Sequence, residues 1–213
     1  MIVPNSIEKL TYLKYLDFSN NFFEVLPNSI TRLLNLQTLN LNYCFYLKEL
    51  PGNIQNLFNL RNLYLENCYS LTHMPLGLGQ LTSLQVLPWF VVNKELTCGG
   101  LPELNKLNNL RGELSIRIKV LVKDATSKAK DANLKDKQHP RKLKLSWDDE
   151  LGKDVAGVCE DENLMESLCP HQSLKMLNVE GYQGVRFPSW LPSLTGLVIL
   201  EISNSMCQRL SLE

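Results

Sequence analysis

The side chains that could catalyse a reaction are few and widely separated along the chain. Three histidines occur, His73, His139 and His171, and none belongs to an H-E-x-x-H zinc motif. The nucleophile motif G-x-S-x-G is also absent from the sequence. Cys159, Cys169 and His171 come closest to a metal-ligand cluster, but their spacing fits no zinc pattern. The sequence therefore predicts a protein that is not an enzyme.

Motifs for nucleotides and cofactors are incomplete as well. Gly152 and Lys153 lack the upstream glycine and the following hydroxyl residue that a phosphate-binding loop requires. Gly77 and Gly79 are not followed by the third glycine of a dinucleotide-binding turn. We therefore expect no cofactor and no bound metal.

The composition of the chain excludes several other classes of protein. The 213 residues contain 22 Lys and Arg against 22 Asp and Glu, so the whole chain has no net attraction for nucleic acid. No stretch has the roughly 18 apolar residues of a membrane-spanning helix, so we expect no membrane insertion. A signal-peptide pattern and Asn-X-Ser/Thr acceptors are also missing. These absences favour a cytoplasmic protein.

A repeat organises the first part of the chain. The pattern L-x-x-L-x-L-x-x-N/C runs from Leu13 to Asn21, from Leu36 to Cys44 and from Leu60 to Cys68. Successive copies are 23 or 24 residues apart, inside the window of about 20–29 residues that is typical of leucine-rich repeats. The L-x-L alternation places both leucines on one face of a short strand. One unit cannot bury these leucines alone, so neighbouring units must stack.

The repeat predicts an α/β repeat solenoid, a leucine-rich-repeat horseshoe with one short parallel strand per repeat on its concave face. Irregular or helical segments would form the convex face, because helices need about 10 Å of width and strands about 4.8 Å. Segments such as Leu26-Pro27 to Ile30 predict short convex helices with proline at the first position. Asn21, Cys44 and Cys68 would turn inward and satisfy backbone groups where each strand ends.

The chain divides at residue 92. Residues 1–92 hold regular repeats of 23–24 residues, and residues 93–213 hold irregular repeats that continue the same solenoid. The second part has a predicted helix near 124–138 and a predicted acidic loop near 148–163. Leu87, which lies 24 residues after Leu63, marks a fourth repeat in the first part. Four further strand-like pairs in the second part bring the total to eight strands; they are Leu114/Ile116, Leu143/Leu145, Leu177/Val179 and Leu200/Ile202.

Charge is uneven in the second part. Residues 111–144 carry 11 basic and 4 acidic residues, and residues 148–166 carry 8 acidic and 1 basic. One interpretation is a solvated helix whose lysines neutralise the acidic insertion. A docking surface for a charged partner, or a contact with nucleic acid or lipid, are the alternatives.

A concave face of this kind predicts binding of another protein. The outward positions of the strands and their exits would contact that partner, with Tyr and Arg as the main anchors. These candidate partner-binding residues are Tyr15, Asp17, Asn40, Asn42, Tyr64, Glu66, Arg117, Lys144, Asn178 and Glu201.

Several segments together resemble the leucine-rich-repeat region of plant intracellular nucleotide-binding leucine-rich-repeat (NLR) immune receptors of the coiled-coil class. The resemblance implies recognition of pathogen effectors, or of host proteins that effectors modify, in the plant defence response. The coiled-coil and nucleotide-binding domains of that family are absent, so we expect a fragment, a truncated product or a degraded paralogue. The segments are Leu16–Asn21, Ser83–Val92, Gly99–Leu104, Leu110–Leu114, Leu143–Trp147 and Gly181–Trp190.

Two other classes of protein compete with this hypothesis. A general intracellular leucine-rich-repeat scaffold or ubiquitin-ligase adaptor has the same repeat, and an upstream F-box would favour it. An extracellular receptor ectodomain is disfavoured, because the sequence lacks a signal peptide, glycosylation acceptors and the Gly-x-Ile-Pro repeat ending.

Overall fold

Eight short strands follow one another along the solenoid. The computed structural model describes residues 3–93, 99–119, 129–148 and 155–205. Within these residues each strand is followed by a turn that leads to the other side of the molecule and back. The strands are β1 (Tyr15–Asp17), β2 (Thr38–Asn40), β3 (Asn62–Tyr64), β4 (Trp89–Val92), β5 (Gly112–Ile118), β6 (Pro140–Trp147), β7 (Met176–Glu180) and β8 (Ile199–Ser203).

The strands form two parallel sheets, β1-β2-β3 and β4-β5-β6-β7-β8, each in sequence order. In the first sheet the central leucines of the three strands, Leu16, Leu39 and Leu63, are direct neighbours. In the second sheet Leu177 lies between Leu143 and Leu200. The leucines of the sequence repeat therefore form inward-facing ladders, and the predicted leucine-rich-repeat fold is confirmed.

The two sheets meet at Pro88. Before it, the N–H of Leu63 donates to the carbonyl of Val86 at 2.9 Å, so the ladder of β3 continues into the next repeat. Proline has no N–H to donate, and the strand β4 begins only after it, pairing with β5 instead. Phe90 then lies opposite Ile116. A proline in the middle of the ladder thus separates the sheets while backbone hydrogen bonds still bridge them.

The other side of the molecule consists mainly of single 3-10 turns. The proline of the L-P-x-x-I segments lies just before these turns, not at their first position as expected, and its carbonyl accepts the N–H three residues later, as in Ile30 to Pro27 at 3.1 Å. The 3-10 helices are Asn5–Lys9, Asn28–Arg32, Ile54–Asn56, Leu78–Gln80, Leu101–Leu104, Leu134–Asp136 and Leu191–Ser193.

The residues that close each strand satisfy backbone groups, as the repeat predicts. Asn21 donates its side-chain N–H to the carbonyl of Phe18 at 3.0 Å. The thiol of Cys44 donates to that same carbonyl, and the thiol of Cys68 donates to the carbonyl of Leu41, both at 3.1 Å. Burial raises the pKa of the Cys68 thiol to about 12 and also raises the pKa of Cys44. These cysteines are structural.

The prediction of an acidic loop near 148–163 is wrong over the part that the structure describes. Val155–Ser167 forms an α-helix, α1. Leu164 and Met165 are buried, so the helix packs against the core through these residues. The many acidic residues of the segment gave no indication of this packing. The carboxylate of Glu162 accepts the backbone N–H groups of Val185 and Arg186 at 2.9 and 3.0 Å. The acidic residues therefore cap a neighbouring loop.

Residues 124–128 of the helix that we predicted near 124–138 lie outside the described residues, and over residues 131–138 the prediction of an α-helix is wrong. Residues 129–130 are helical, but the helix does not continue, because Asn133 adopts a left-handed conformation with φ of 51°. Leu134–Asp136 is a 3-10 turn. Lys137 does not face solvent as expected of a solvated helix: it is buried and its ammonium donates to the carbonyls of Leu104 and Leu107 at 2.5 and 3.3 Å.

Candidate functional site

Six of the predicted partner-binding residues lie together on the first sheet. Tyr15 and Asp17 lie on either side of Leu16 in β1. Asp17, Asn40 and Tyr64 are register neighbours on three successive strands. The side-chain N–H of Asn40 donates to Asp17 at 2.9 Å, and the hydroxyl of Tyr15 donates to Asp17 at 3.1 Å.

The remaining two of the six lie where the strands end. Asn42 accepts the backbone N–H of Glu66 at 2.8 Å, and its own N–H donates to Asn40 at 3.1 Å. A chain of hydrogen bonds therefore holds these residues from Asp17 to Glu66 in one arrangement, which reduces the entropy that they would lose on binding.

Asp17 is the fixed negative charge of this region. Ser19 donates both its hydroxyl and its backbone N–H to the Asp17 carboxylate, at 2.6 and 2.8 Å. These bonds, with smaller contributions from Asn40 and Tyr15, lower the pKa of Asp17 to about 2. The carboxylate in turn raises the pKa of Tyr15, which keeps that phenol protonated as a donor.

The other four predicted residues lie on the second sheet, in two rows. Lys144, Asn178 and Glu201 are register neighbours on β6, β7 and β8. The side-chain N–H of Asn178 donates to Glu201 at 2.6 Å. Arg117 belongs to the next row, beside Ser146. The structure thus brings these four close together but separates them from the six on the first sheet.

Both cations of this group are paired with carboxylates. The guanidinium of Arg117 lies 2.6 Å from Asp148, and the ammonium of Lys144 lies 2.6 Å from Glu180. The side chains of the first pair are only 22% and 30% exposed, so this pair is screened less by solvent than a surface pair. The cations are therefore held in place before any partner arrives.

A groove of about 700 Å³ opens at the carboxyl ends of the central strands. Tyr69 lines it from the turn after β3 of the first sheet, and Trp89 and Trp147 line it from β4 and β6 of the second. Arg117 and Lys144 also line it. The guanidinium of Arg117 lies 6.0 Å from the centre of the Trp89 ring, at cation–π distance. The groove therefore combines three aromatic side chains with two ion pairs, because Asp148 and Glu180, the partners of Arg117 and Lys144, also line it.

A row of exposed aromatic rings leads along the first sheet into this groove. We call Phe22, Tyr43, Phe45, Tyr46 and Tyr69 the aromatic row; each is between 41% and 68% exposed. The rings of Phe45 and Tyr69 stack at 6.0 Å, and Tyr69 meets Trp89 edge-on at 6.4 Å. Contiguous exposed apolar surface of this kind marks interaction sites on soluble proteins.

Tyr43 occupies its place in the row at a conformational cost. Its φ is 62°, in the left-handed region, where the first and third repeats carry Asn20 and Asn67. Asparagine tolerates this conformation, whereas a bulky side chain does not favour it. Asparagine would therefore adopt this backbone conformation at a lower cost in free energy than the tyrosine that occupies the position.

Sequence reasoning missed the aromatic row and the tryptophans of the groove. A signal was present, because an aromatic residue follows the Asn or Cys that closes each of three repeats, as Phe22, Phe45 and Tyr69. The presence of Trp89 and Trp147 in one groove had no such signal. Their strands, β4 and β6, are separated in the sheet by β5, and both side chains nevertheless line the groove.

The glycines that resemble part of a dinucleotide motif bind a carboxylate of the chain itself. Glu103 accepts the N–H of Gly77 at 3.1 Å and the N–H of Gly79 at 2.6 Å. An added Cβ at Gly79 would lie 2.6 Å from the Glu103 carbonyl oxygen. These glycines therefore allow two repeats to pack closely.

Residues 3–93, 99–119, 129–148 and 155–205 contain no group of three or more His, Cys, Asp or Glu that could hold a metal ion. In the described part of the chain, no helix is long and apolar enough to cross a bilayer.

Comparison with known families identifies the repeat. The family model described as R13L1/DRL21 LRRs matches residues 101–212, and the general leucine-rich-repeat model matches residues 12–33 and 35–57. The chain belongs to the R13L1/DRL21 leucine-rich-repeat family. The first of these matches covers the irregular second part, where the sequence repeat is hardest to follow.

Curated relatives of this family member are disease resistance proteins of plants. One from Arabidopsis thaliana is 45% identical over 211 residues, which are 96% of this chain and 14% of the relative. The disease resistance protein RGA2 of Solanum bulbocastanum is 38% identical over 230 residues, or 94% of this chain and 23% of the relative. The resemblance to the repeat region of plant disease resistance proteins is confirmed. The chain spans less than a quarter of the length of these relatives.

Solved structures share the fold at low sequence identity. A leucine-rich-repeat protein of Leptospira interrogans is 22% identical with a TM-score of 0.57, covering 99% of this chain and 54% of that one. An internalin from Listeria monocytogenes is 18% identical with a TM-score of 0.50, covering 95% of this chain and 58% of that one. These structures support the repeat solenoid alone.

Proposed function

We propose that this chain is the protein-recognition part of a plant disease resistance protein, and that it binds a pathogen effector, or a host protein that an effector modifies, in the cytoplasm. Binding is through the concave face, with the aromatic row and the groove at its centre. The candidate residues on the two sheets, from Tyr15 to Glu66 and from Arg117 to Glu201, form the polar surroundings. Family membership and the names of the relatives support this role.

One observation carries the proposal: the exposed aromatic row leads directly into the groove, and the cations of the groove are already held in place by ion pairs. Tyr69 is 52% exposed and stands at the point where row and groove meet. Aromatic and arginine side chains dominate the energetics of protein interfaces, and they do so from central, enclosed positions. Tyr69, Trp89 and Arg117 are residues of these types and lie together in the groove.

A site-specific cross-link tests the proposal. A photoreactive phenylalanine analogue replaces Tyr69 in the tagged chain, expressed in leaf tissue with and without pathogen challenge, and mass spectrometry identifies the captured protein. The matched control places the same analogue at Leu76, which is 54% exposed beside the 3-10 helix Leu78–Gln80. We expect capture from Tyr69 and not from Leu76.

Direct binding of the purified captured protein then decides. In titration calorimetry Tyr69→Ala lowers the affinity about tenfold or more, because a central aromatic anchor is removed. Leu76→Ala leaves the affinity within about twofold, since scattered surface residues contribute little. Equal affinities for the wild-type chain and Tyr69→Ala would reject the groove as the recognition site.

A further inference from the structure

Backbone hydrogen bonds align one residue from each early repeat at the start of its strand. The N–H of Gln37 donates to the carbonyl of Lys14 at 2.8 Å, and the N–H of Arg61 donates to the carbonyl of Gln37 at 2.8 Å. Gln85 donates in the same way to Arg61 at 2.7 Å, and Arg111 to Gln85 at 2.8 Å. Cations and glutamines therefore alternate along five consecutive repeats.

The row continues on the second sheet after the irregularity at the start of β5. There the N–H of Lys175 donates to the carbonyl of Arg141 at 2.9 Å. We call Lys14, Gln37, Arg61, Gln85, Arg111, Arg141 and Lys175 the strand-start row. At about 4.8 Å for each step between strands, the row from β1 to β7 is about 30 Å long.

All five cations of this row are exposed, and none has a carboxylate partner within the described residues. Arg141 and Lys175 donate only to neutral carbonyls, those of Ser173 and Gly196, at 2.9 and 3.0 Å. Two other cations of these strands are neutralised, Arg117 by Asp148 and Lys144 by Glu180. The row is therefore a line of uncompensated positive charge.

Negative charge collects at the opposite, carboxyl ends of the strands. Asp17 and Glu66 lie there on the first sheet, and neither forms a salt bridge among the described residues. One acidic residue, Glu113, lies near the row, and Lys142 is its register neighbour on β6. On the first sheet the face is thus positive at the amino ends of the strands and negative at their carboxyl ends.

We infer that the strand-start row is a docking strip for an acidic segment of a protein partner. The inference deepens the proposed function, on which it rests, by assigning a partner chemistry to one edge of the same face. An extended peptide of about ten residues is about 33 Å long and matches the row in length. Its carboxylates would supply the counter-charges that Lys14, Arg61 and Arg111 lack.

Nucleic acid fits this strip less well than an acidic peptide. A duplex carries phosphates on both strands, about one charge per 1.7 Å, so it would extend over the face toward Asp17 and Glu66 and be repelled. A peptide narrow enough to follow the row avoids those carboxylates. The cations also number only one per repeat or fewer, which is sparse for a phosphate backbone.

Binding of defined polyanions to the full chain tests the inference. The probes are a fluorescent peptide of about ten residues that alternates glutamate and alanine, its lysine–alanine counterpart, and a single-stranded oligonucleotide of similar length. Fluorescence anisotropy is measured in low and in physiological salt. The glutamate peptide is expected to bind, the lysine peptide not, and salt to weaken binding by screening.

Variants locate the binding. Lys14→Glu/Arg61→Glu/Arg111→Glu lowers the affinity for the glutamate peptide about tenfold or more. The neutral variant with glutamine at the same three positions, the residue already present at Gln37 and Gln85, also weakens binding and guards against misfolding. The matched control reverses three other exposed lysines, Lys9, Lys106 and Lys130, and changes the affinity by less than about twofold.

Each contrary outcome is informative. Failure of the glutamate peptide to bind, or equal weakening by the control variant, overturns the acidic-segment inference. Tighter binding of the oligonucleotide, with the same dependence on the row, replaces it by a nucleic-acid strip. None of these results touches the proposed function, which depends on whether the protein captured at Tyr69 loses affinity for Tyr69→Ala.

Discussion

Both sheets bury a ladder of leucine-like side chains, but their strands differ in length. Strands β1 to β3 have three residues each, and β5 and β6 have seven and eight. In the first sheet, the outward side chains of Tyr15 and Asn40 are held by hydrogen bonds to Asp17. In the second sheet, the outward cations Arg117 and Lys144 are held by ion pairs. The groove lies between the two sheets and is lined by Tyr69 after β3 and by Trp89 and Trp147 of the second sheet.

The comparison shows which features of a repeat can vary. The inward positions are leucine-like in both sheets because every repeat must cover its neighbour. Insertions, including α1, lie between strands, where they leave the ladder intact. The residues to which we assign recognition, Tyr69, Trp89 and Arg117, lie where the regular part meets the irregular part.

The largest expected effect comes from breaking the ladder in either sheet. Leu63→Ala in β3 and Leu177→Ala in β7 each lower the free energy of unfolding by about 2–5 kcal/mol, because both side chains are fully buried. Leu200→Ala in β8 costs about 1 kcal/mol or less, because Leu200 is 38% exposed. Urea denaturation followed by circular dichroism measures all three. A small loss for Leu63 or Leu177 would mean that the ladder is not the core.

A smaller effect is expected where the two regions are joined. Glu103→Ala removes the acceptor of the Gly77 and Gly79 amides and lowers the free energy of unfolding by about 1–2 kcal/mol. Glu49→Ala, an exposed carboxylate on an earlier repeat, is the matched control and changes stability by less than about 0.5 kcal/mol. Equal effects of the two substitutions would show that Glu103 does not fasten these repeats together.

A gain in stability is expected within the first sheet. Tyr43→Asn relieves a left-handed tyrosine and raises the free energy of unfolding by about 0.5–1 kcal/mol. The reverse change in the next repeat, Asn67→Tyr, lowers it by a similar amount. Thermal melts of both variants measure the pair. If Tyr43→Asn is destabilising, the ring contributes more to folding than its backbone conformation costs.

The smallest perturbation requires no substitution: it compares the chemical reactivity of cysteine thiols in the two regions. Cys44 and Cys68 are buried in the first sheet with raised pKa values, that of Cys68 to about 12, whereas Cys159 on α1 is exposed. At about pH 8 iodoacetamide should therefore modify Cys159 and spare Cys44 and Cys68, because the thiolate is the reactive form. Peptide mass spectrometry reports each site, and urea should remove the difference. Equal labelling of Cys68 and Cys159 in the folded chain would contradict the assigned burial.

Sequence reasoning predicted the parts of the molecule that depend on neighbouring repeats. The ladder of Leu39 and Leu63 was predictable because each repeat imposes the same burial on the same position. The roles of Cys44 and Cys68 followed from that position too. The candidate residues Tyr15, Asp17 and Asn40 were placed on the outer face by strand alternation alone.

Other parts depend on contacts between distant segments and had no local signal. The α-helix α1 was missed because its acidic residues, including Glu162 and Glu166, are satisfied by backbone amides of residues 185–189. The groove was missed because Trp89 and Trp147, which both line it, belong to strands that are separated by β5. Salt-bridge partners for Arg117 and Lys144 were likewise set by the register between β5, β6 and β7.

Hydroxyl-radical footprinting of the chain with and without its captured partner tests the central claim most directly. We predict that bound partner protects Phe45, Tyr69 and Trp89 from oxidation and leaves Val25 and Leu76, on the side of the 3-10 helices, as reactive as before. Protection of Val25 and Leu76 with unchanged oxidation of Tyr69 and Trp89 would show that recognition does not use the concave groove.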